Sequence, residues 1–203
     1  MTKNKHHLPD GWQWVKLGDI CQEDKQIIEP KTNLWASLTY ISLEHIESQT
    51  GKILKTPSES SEDKGISSTY AFNTSHVLYG KLRPYLNKVA IPNFSGRYTT
   101  ELIPFIPKDG IDRVFLGWIF RRKETVERAM QGKTGSRMPR ASISDLLKLE
   151  IPLPPIDEQK RIASILNEQM STVENARKTA EAQLEAINQL PSALLRRAFN
   201  GEL

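Results

Sequence analysis

The sequence predicts an α+β fold in which a mixed α/β domain over residues 1–150 is followed by a long C-terminal coiled-coil helix within residues 151–203. Three observations lead to this prediction. Short runs rich in Val, Ile, Tyr and Phe alternate with turn-forming residues, a cluster of prolines follows them, and an apolar heptad pattern comes after the prolines. The 203 residues suffice for one ordinary domain and such a helix.

Four runs in the first part are typical of β-strands. Each is enriched in β-branched or aromatic residues and is bounded by Gly, Pro, Asn or Ser, which favour turns. Their spacing indicates a mixed α/β domain. The predicted strands are residues 37–43, 75–79, 88–92 and 101–106.

One amphipathic helix is predicted after these strands, over residues 114–131. Phe115, Trp118 and Ile119 recur there at helical intervals, with arginines between them. Residues 132–140 then break the pattern with two glycines, a proline and several cations, which indicates a basic loop. A short helix-like stretch follows over residues 142–149.

The domain is predicted to end at Pro152, Pro154 and Pro155, because each proline pushes the residue before it out of the helical region. A long helix is predicted to begin at Asp157, since acidic residues suit a helix start. The next glycine or proline is Pro191, so the helix is predicted to run to residue 189. Its length would be about 50 Å at about 1.5 Å per residue.

Apolar residues recur along this helix at intervals of seven. A single helix cannot cover such a stripe, so we expect the helix to pair with a second one as a coiled coil. The alternative is that it packs back on its own domain. The predicted dimerisation residues are Ile162, Leu166, Val173, Ala180, Ile187 and Leu194.

Positive charge is concentrated in one part of the chain, although the net charge is only +4. Residues 81–140 contain 13 Lys and Arg against 5 Asp and Glu, whereas residues 1–80 contain 8 against 10 and residues 141–203 contain 7 against 9. Such a basic block is typical of nucleic-acid binding. The nearly neutral C-terminal part suits contact with protein.

The sequence excludes several classes of protein. A single cysteine, Cys21, cannot form an internal disulfide, and no apolar run approaches the roughly 20 residues of a membrane span, so a cytoplasmic location is expected. The four histidines lack metal-ligand spacing, and there is no glycine-rich phosphate loop or Gly-x-Ser-x-Gly elbow. We therefore expect no catalytic centre and no metal.

The basic block contains three clusters in which cations lie beside Tyr, Thr, Ser or Gly, residues suited to phosphate and base contacts. Glu101 is an exception, since DNA repels a carboxylate. It either accepts from a cytosine amine, orients an arginine or forms a simple intramolecular ion pair. The predicted DNA-binding residues are Lys81, Arg83, Tyr85, Lys88, Arg97, Thr99, Thr100, Lys133, Ser136, Arg137 and Arg140.

Motifs along nearly the whole chain resemble those of the specificity (S) subunit of a type I restriction-modification system, and specifically one half of such a subunit. Trp12, Trp14, Leu17 and Ile20, near the first motifs, are expected to anchor the core rather than contact DNA. The matching motifs are LPDGW at 8–12, LGDI at 17–20, LYGKLRPY at 78–85, GS at 135–136, IPLPPIDEQ at 151–159 with RI at 161–162, and LRRAFNGEL at 195–203.

The resemblance implies a non-catalytic subunit that itself binds no cofactor. Residues 1–150 would form a target recognition domain that reads DNA, and residues 151–203 would form a spacer and dimerisation helix with a C-terminal tail. The implied partners are double-stranded DNA, methyltransferase subunits that bind S-adenosylmethionine and modify adenine, and a restriction subunit. Typical members have two domains and two antiparallel helices, so this chain would pair with a second copy or with another half subunit.

Two rival hypotheses come from other classes. The chain could be a dimeric regulatory module whose basic face binds RNA or an acidic protein, or a nuclease that cleaves duplex DNA with magnesium.

Overall fold

The computed structural model describes residues 7–29, 32–33, 37–54, 69–131 and 137–202. The chain divides into two compact units, Met1–Ala163 and Ser164–Leu203. All the strands described lie in the first unit, and the second is helical. The α+β fold with a long C-terminal helix is confirmed. The functional division at residues 150 and 151 stays a prediction.

Ten strands are described in the first unit. The four predicted runs each overlap one, namely β4, β6, β7 and β9. The others were not predicted. The strands are β1 Gln13–Lys16, β2 Cys21–Glu23, β3 Gln26–Ile28, β4 Thr39–Ile41, β5 Thr69–Phe72, β6 Val77–Gly80, β7 Val89–Ala90, β8 Gly96–Tyr98, β9 Leu102–Pro107 and β10 Glu150–Leu153.

Five α-helices are described, with two short 3-10 helices at Leu43–His45 and Pro84–Leu86. The Asp112 carboxylate caps α2 by accepting from the backbone N–H of Phe115 (2.8 Å). The helices are α1 Leu17–Ile20, α2 Arg113–Arg121, α3 Lys123–Met130, α4 Ile143–Leu146 and α5 Ile156–Phe199.

Two four-stranded sheets form most of the first unit, with strand orders β2-β9-β6-β7 and β3-β5-β8-β4. All pairs are antiparallel except β4 with β8. Alternate residues of β6 point to opposite faces of the sheet, as in any strand. Tyr79 therefore packs in the cluster that contains Phe115 and Phe120 of α2, whereas Leu78 packs with Ile41 and Tyr98 of the second sheet.

Strands β1 and β10 form a separate antiparallel pair in which Trp14 lies opposite Pro152. The segment predicted to end the domain thus contains a strand. The prediction of core anchors is confirmed for Leu17 and Ile20, which are buried, but it is wrong for Trp14, whose side chain is 37% exposed. A two-stranded ribbon leaves its residues less covered than a central sheet does.

Two helix predictions are wrong in their bounds. The helix predicted over residues 114–131 is two helices, because the backbone of Arg122 leaves the helical region with ψ at 145°.

The long helix continues through Pro191 to Phe199 rather than ending at residue 189. Proline cannot donate to the carbonyl of Ile187, a loss of about 3 kcal/mol that the flanking helical turns tolerate here.

Gln159 joins the start of α5 to the rest of the first unit. Its side chain is only 1% exposed. Its Oε1 accepts from the backbone N–H of Asp112 (2.9 Å), and its Nε2 donates to the carbonyls of Gly110 (3.2 Å) and Pro154 (2.9 Å). One buried amide therefore satisfies three backbone groups.

Replacing Gln159 with leucine is expected to lower the free energy of unfolding by about 2–4 kcal/mol, because the change removes three hydrogen bonds, one of them to the buried carbonyl of Pro154. Urea unfolding followed by circular dichroism measures the decrease. Gln189→Leu, at an exposed position of the same helix, is the control and should unfold near the wild-type midpoint. Equal midpoints for all three proteins would contradict the role assigned to Gln159.

Candidate nucleic-acid interface

Three segments that are distant in sequence meet at one place on the first unit. They are residues 81–83 after β6, residues 99–101 between β8 and β9, and residues 137–141 before α4. The backbone N–H of Lys81 donates to the carbonyl of Glu101 (3.0 Å), and the N–H of Ala141 donates to the carbonyl of Lys81 (2.8 Å). The N–H of Arg83 donates to the carbonyl of Pro139 (2.8 Å). The fold thus joins segments of the three basic clusters that the sequence predicts to bind DNA.

We call the side chains of Lys81, Arg83, Thr99, Thr100, Arg137 and Arg140 the basic surface. Arg83, Thr100, Arg137 and Arg140 are exposed, whereas Lys81 and Thr99 are half-buried. Four cations and two hydroxyl groups on adjoining segments can bind the phosphates of a nucleic acid and reach its base edges.

Glu101 forms an ion pair inside this surface. Its Oε1 lies 3.1 Å from Nη2 of Arg140. The geometry agrees with the expectation of an intramolecular ion pair and with that of a carboxylate that orients an arginine. A solvent-facing pair of this kind contributes at most about 1 kcal/mol to stability.

Tyr85 lies beside the basic surface on the 3-10 helix Pro84–Leu86, and 47% of its side chain is exposed. Gln49, which sequence reasoning did not select, contacts this turn, as does Asn87, which belongs to the first basic cluster but is not among the predicted DNA-binding residues. Nε2 of Gln49 donates to the carbonyl of Tyr85 (3.5 Å), and Nδ2 of Asn87 donates to Oε1 of Gln49 (3.2 Å). A polar residue in a loop gives no sequence signal for such a contact.

Arg97 is buried in the fold, and Lys88 is half-buried with its ammonium group hydrogen-bonded to the backbone. Arg97 is 1% exposed and lies 4.9 Å from the ring centroid of Tyr40, because β8 is an inner strand of its sheet. Nζ of Lys88 donates to the carbonyl of Leu43 (2.7 Å). Burial lowers the pKa of both groups. Their DNA contacts stay predictions, and their positions indicate packing roles.

Lys133 and Ser136 lie outside the residues that the structure describes. Their assignment to DNA binding stays a prediction. The two arginines of the predicted basic loop, Arg137 and Arg140, are within the described residues.

The second unit, residues 164–203, presents apolar side chains to solvent. Val173 is 59% exposed, Ile187 60% and Leu194 51%, while Ala180 is exposed and Leu166 half-buried. Further exposed apolar residues on α5 are Leu184, Leu190, Leu195 and Phe199. Ile162 instead belongs to the first unit and packs against its core. The dimerisation role of all these residues stays a prediction.

The described residues offer little that is suited to catalysis. No cluster of His, Cys, Asp and Glu that could hold a metal ion occurs among them. Burial raises the pKa of the Cys21 thiol to about 12, which keeps it protonated at neutral pH. In the same part of the chain, no helix is both long and apolar enough to cross a membrane.

Comparison with known proteins identifies a family. Residues 9–186 match the family described as type I restriction modification DNA specificity domain. All of this chain aligns at 28% identity with the type I restriction enzyme EcoDI specificity subunit of Escherichia coli, covering 44% of that protein. The MjaVIII specificity subunit of Methanocaldococcus jannaschii is 24% identical over 97% of this chain and 44% of its own length.

Solved structures show the same fold. The crystal structure of the HsdS subunit from Thermoanaerobacter tengcongensis superposes with a TM-score of 0.70 at 24% identity, over 98% of this chain and 50% of that one. A chain from a study of complex assembly and conformational transition of the type I R-M system gives a TM-score of 0.69 at 24% identity, over 97% of this chain and 50% of that one. This chain spans about half the length of these two relatives and these two structures.

Proposed function

The chain belongs to the family of type I restriction modification DNA specificity domains, and we propose that it recognises one half-site of a bipartite DNA target for such a system. The observation that supports this most directly is the basic surface. Arg83, Arg137 and Arg140 are exposed on segments that backbone hydrogen bonds join, beside exposed Tyr85.

Recognition divides into two tasks. Arginine contacts to phosphates hold the domain in register on the duplex, without regard to sequence. Thr99, Thr100 and Tyr85 are proposed to touch base edges, which carry the sequence information. Residues 1–150 are therefore assigned to target recognition.

The helix sets the distance between two such domains. Its 44 residues span about 66 Å at about 1.5 Å per residue. The exposed stripe through Val173 and Ile187 pairs with a second helix of the same kind. A second copy of this chain would give identical half-sites in inverted orientation, whereas another half subunit would give an asymmetric target. Residues 151–203 are assigned to this spacer and dimerisation role.

The proposed complex contains methyltransferase subunits, and a restriction subunit joins it where the system cleaves DNA. S-adenosylmethionine binding and adenine methylation belong to the methyltransferase subunits, and this chain is proposed to be non-catalytic and to bind no cofactor. The proposed location is the cytoplasm, where the chromosome of a bacterial or archaeal cell lies.

The first test is a competition experiment with the purified chain bound to a labelled DNA duplex of mixed sequence. Unlabelled DNA duplex should displace the label at lower concentration than an RNA duplex of the same sequence and length, because the groove geometry of A-form RNA differs. Equal or better displacement by RNA would contradict the proposal and favour a regulatory RNA-binding module. Cleavage of the duplex with magnesium alone would favour the nuclease.

A further inference from the structure

The turn formed by residues 83–87 concentrates backbone strain. Among the described residues other than glycine, positive φ angles occur at Gln49 (69°), Arg83 (50°) and Asn87 (51°). Arg83 and Asn87 flank the 3-10 helix Pro84–Leu86, and the backbone N–H of Gln49 donates to the carbonyl of Leu86 (3.3 Å). Left-handed conformations of this kind are unfavourable for residues other than glycine and persist only where the surroundings impose them.

Two amide side chains impose the shape of this turn. Nε2 of Gln49 donates to the carbonyl of Tyr85 (3.5 Å). Nδ2 of Asn87 donates both to Oε1 of Gln49 (3.2 Å) and to the carbonyl of Arg121 (3.0 Å), the last residue of α2. The turn is thereby attached to a neighbouring loop and to the end of a helix.

The loop that carries Gln49 is itself packed too closely to move aside. A Cβ added to Gly51 would lie 1.7 Å from the carbonyl oxygen of Val89 and 2.2 Å from Nη2 of Arg121, so this position accepts only glycine. Nη2 of Arg121 donates to that same carbonyl (2.7 Å). Gln49 therefore approaches the turn from a loop that is held against β7.

The outer side of the turn presents an arginine and an aromatic ring. Arg83 is exposed, Tyr85 is 47% exposed, and Pro84 between them is buried. The amide contacts described above bind the backbone of the turn and leave these two side chains on the surface. An arginine can bind the edge of a guanine, and a tyrosine ring offers both a π-face and a hydroxyl to a base.

We infer that Gln49 and Asn87 are positioning residues that hold Arg83 and Tyr85 in a preformed arrangement for reading bases rather than phosphates. This inference rests on the proposed function and deepens it. Contacts to phosphate tolerate small displacements, since they depend on charge, whereas contacts to base edges require the donor to be held within about half an ångström. A turn that only bound phosphate would gain nothing from a fixed, strained backbone, because binding to phosphate does not require exact positions.

The test uses the full chain and a pool of DNA duplexes with randomised central positions, whose bound fraction is sequenced. Gln49→Gly and Asn87→Gly remove the amide contacts, and glycine accepts the positive φ at both positions. Each variant should lower the enrichment of the preferred bases about tenfold, the size of one base-pair mismatch. The salt dependence of binding to a fixed duplex of mixed sequence should stay at the wild-type slope, because both variants keep every cation.

A double-substitution cycle separates positioning from general damage to the fold. In a Tyr85→Ala, Arg83→Ala background, adding Gln49→Gly should have no further effect on base enrichment, because the side chains that it positions are gone. Asn93→Gly, at an exposed loop position, is the matched control and should keep wild-type enrichment.

Three outcomes would overturn the inference. Wild-type enrichment in both glycine variants, or a further decrease in the double-substituted background, would overturn it while leaving the proposed function standing. A wild-type chain that binds duplexes without enriching any sequence would overturn the proposed function as well.

Discussion

A chain in which Leu166, Val173 and Ile187 are all replaced by aspartate is expected to be monomeric, whereas the wild-type chain is expected to form a dimer through α5. Burying an apolar side chain of this size contributes about 1.5–3 kcal/mol, so six such side chains in a symmetric pair contribute about 9–18 kcal/mol. A dimer with micromolar affinity has only about 8 kcal/mol in total. Light scattering at micromolar concentration measures the mass directly.

The control places the same three aspartates on the other side of the helix. Ser171, Asn175 and Gln189 are exposed and lie roughly opposite the apolar stripe at about 100° per residue. The control chain should remain dimeric, and both variants should keep the far-UV signal of the first unit. A wild-type monomer would contradict pairing with a second copy and direct the search to another half subunit. A dimer that survives the apolar replacements would remove the stripe from the interface.

Replacing Lys81, Arg137 and Arg140 with alanine is expected to weaken binding to every DNA duplex and to flatten its salt dependence. Removal of one interaction between a cation and a phosphate lowers the slope of log affinity against log salt by about 0.9, so removal of three lowers it by about 2.7. The slope comes from fluorescence anisotropy titrations of one mixed-sequence duplex at several salt concentrations.

A charge-matched control is available on the helices. Lys123, Lys160 and Lys178 are exposed, and replacing them with alanine removes the same formal charge from the chain. If direct interaction with phosphate decides affinity, rather than net charge, the slope of log affinity against log salt should be the same for this control as for the wild-type chain. Equal flattening in both triple variants would mean that only the overall charge matters. An unchanged slope in the variant that lacks Lys81, Arg137 and Arg140 would exclude the basic surface from the interface.

Strands and helices whose apolar residues recur at a regular interval could be predicted from the local sequence. The strand runs that overlap β6 and β9 and the long helix α5 were predicted from their residues alone. Strands β1 and β10 were not, because each is stabilised by the other across more than 130 residues of chain. The break at Arg122 and the continuation through Pro191 likewise depend on packing and on neighbouring helical turns rather than on local propensity.

The sequence by itself determined that this chain is α+β, that positive charge collects in residues 81–140, and that an apolar stripe follows the prolines, because composition and periodicity are properties of the chain alone. Only the tertiary structure decided which cations face solvent. Arg97 is buried because β8 pairs with strands on both sides, while Arg83 and Arg140 are exposed on paired loops. The exposure of a side chain depends on neighbours that are distant in sequence, and folding alone brings those neighbours together.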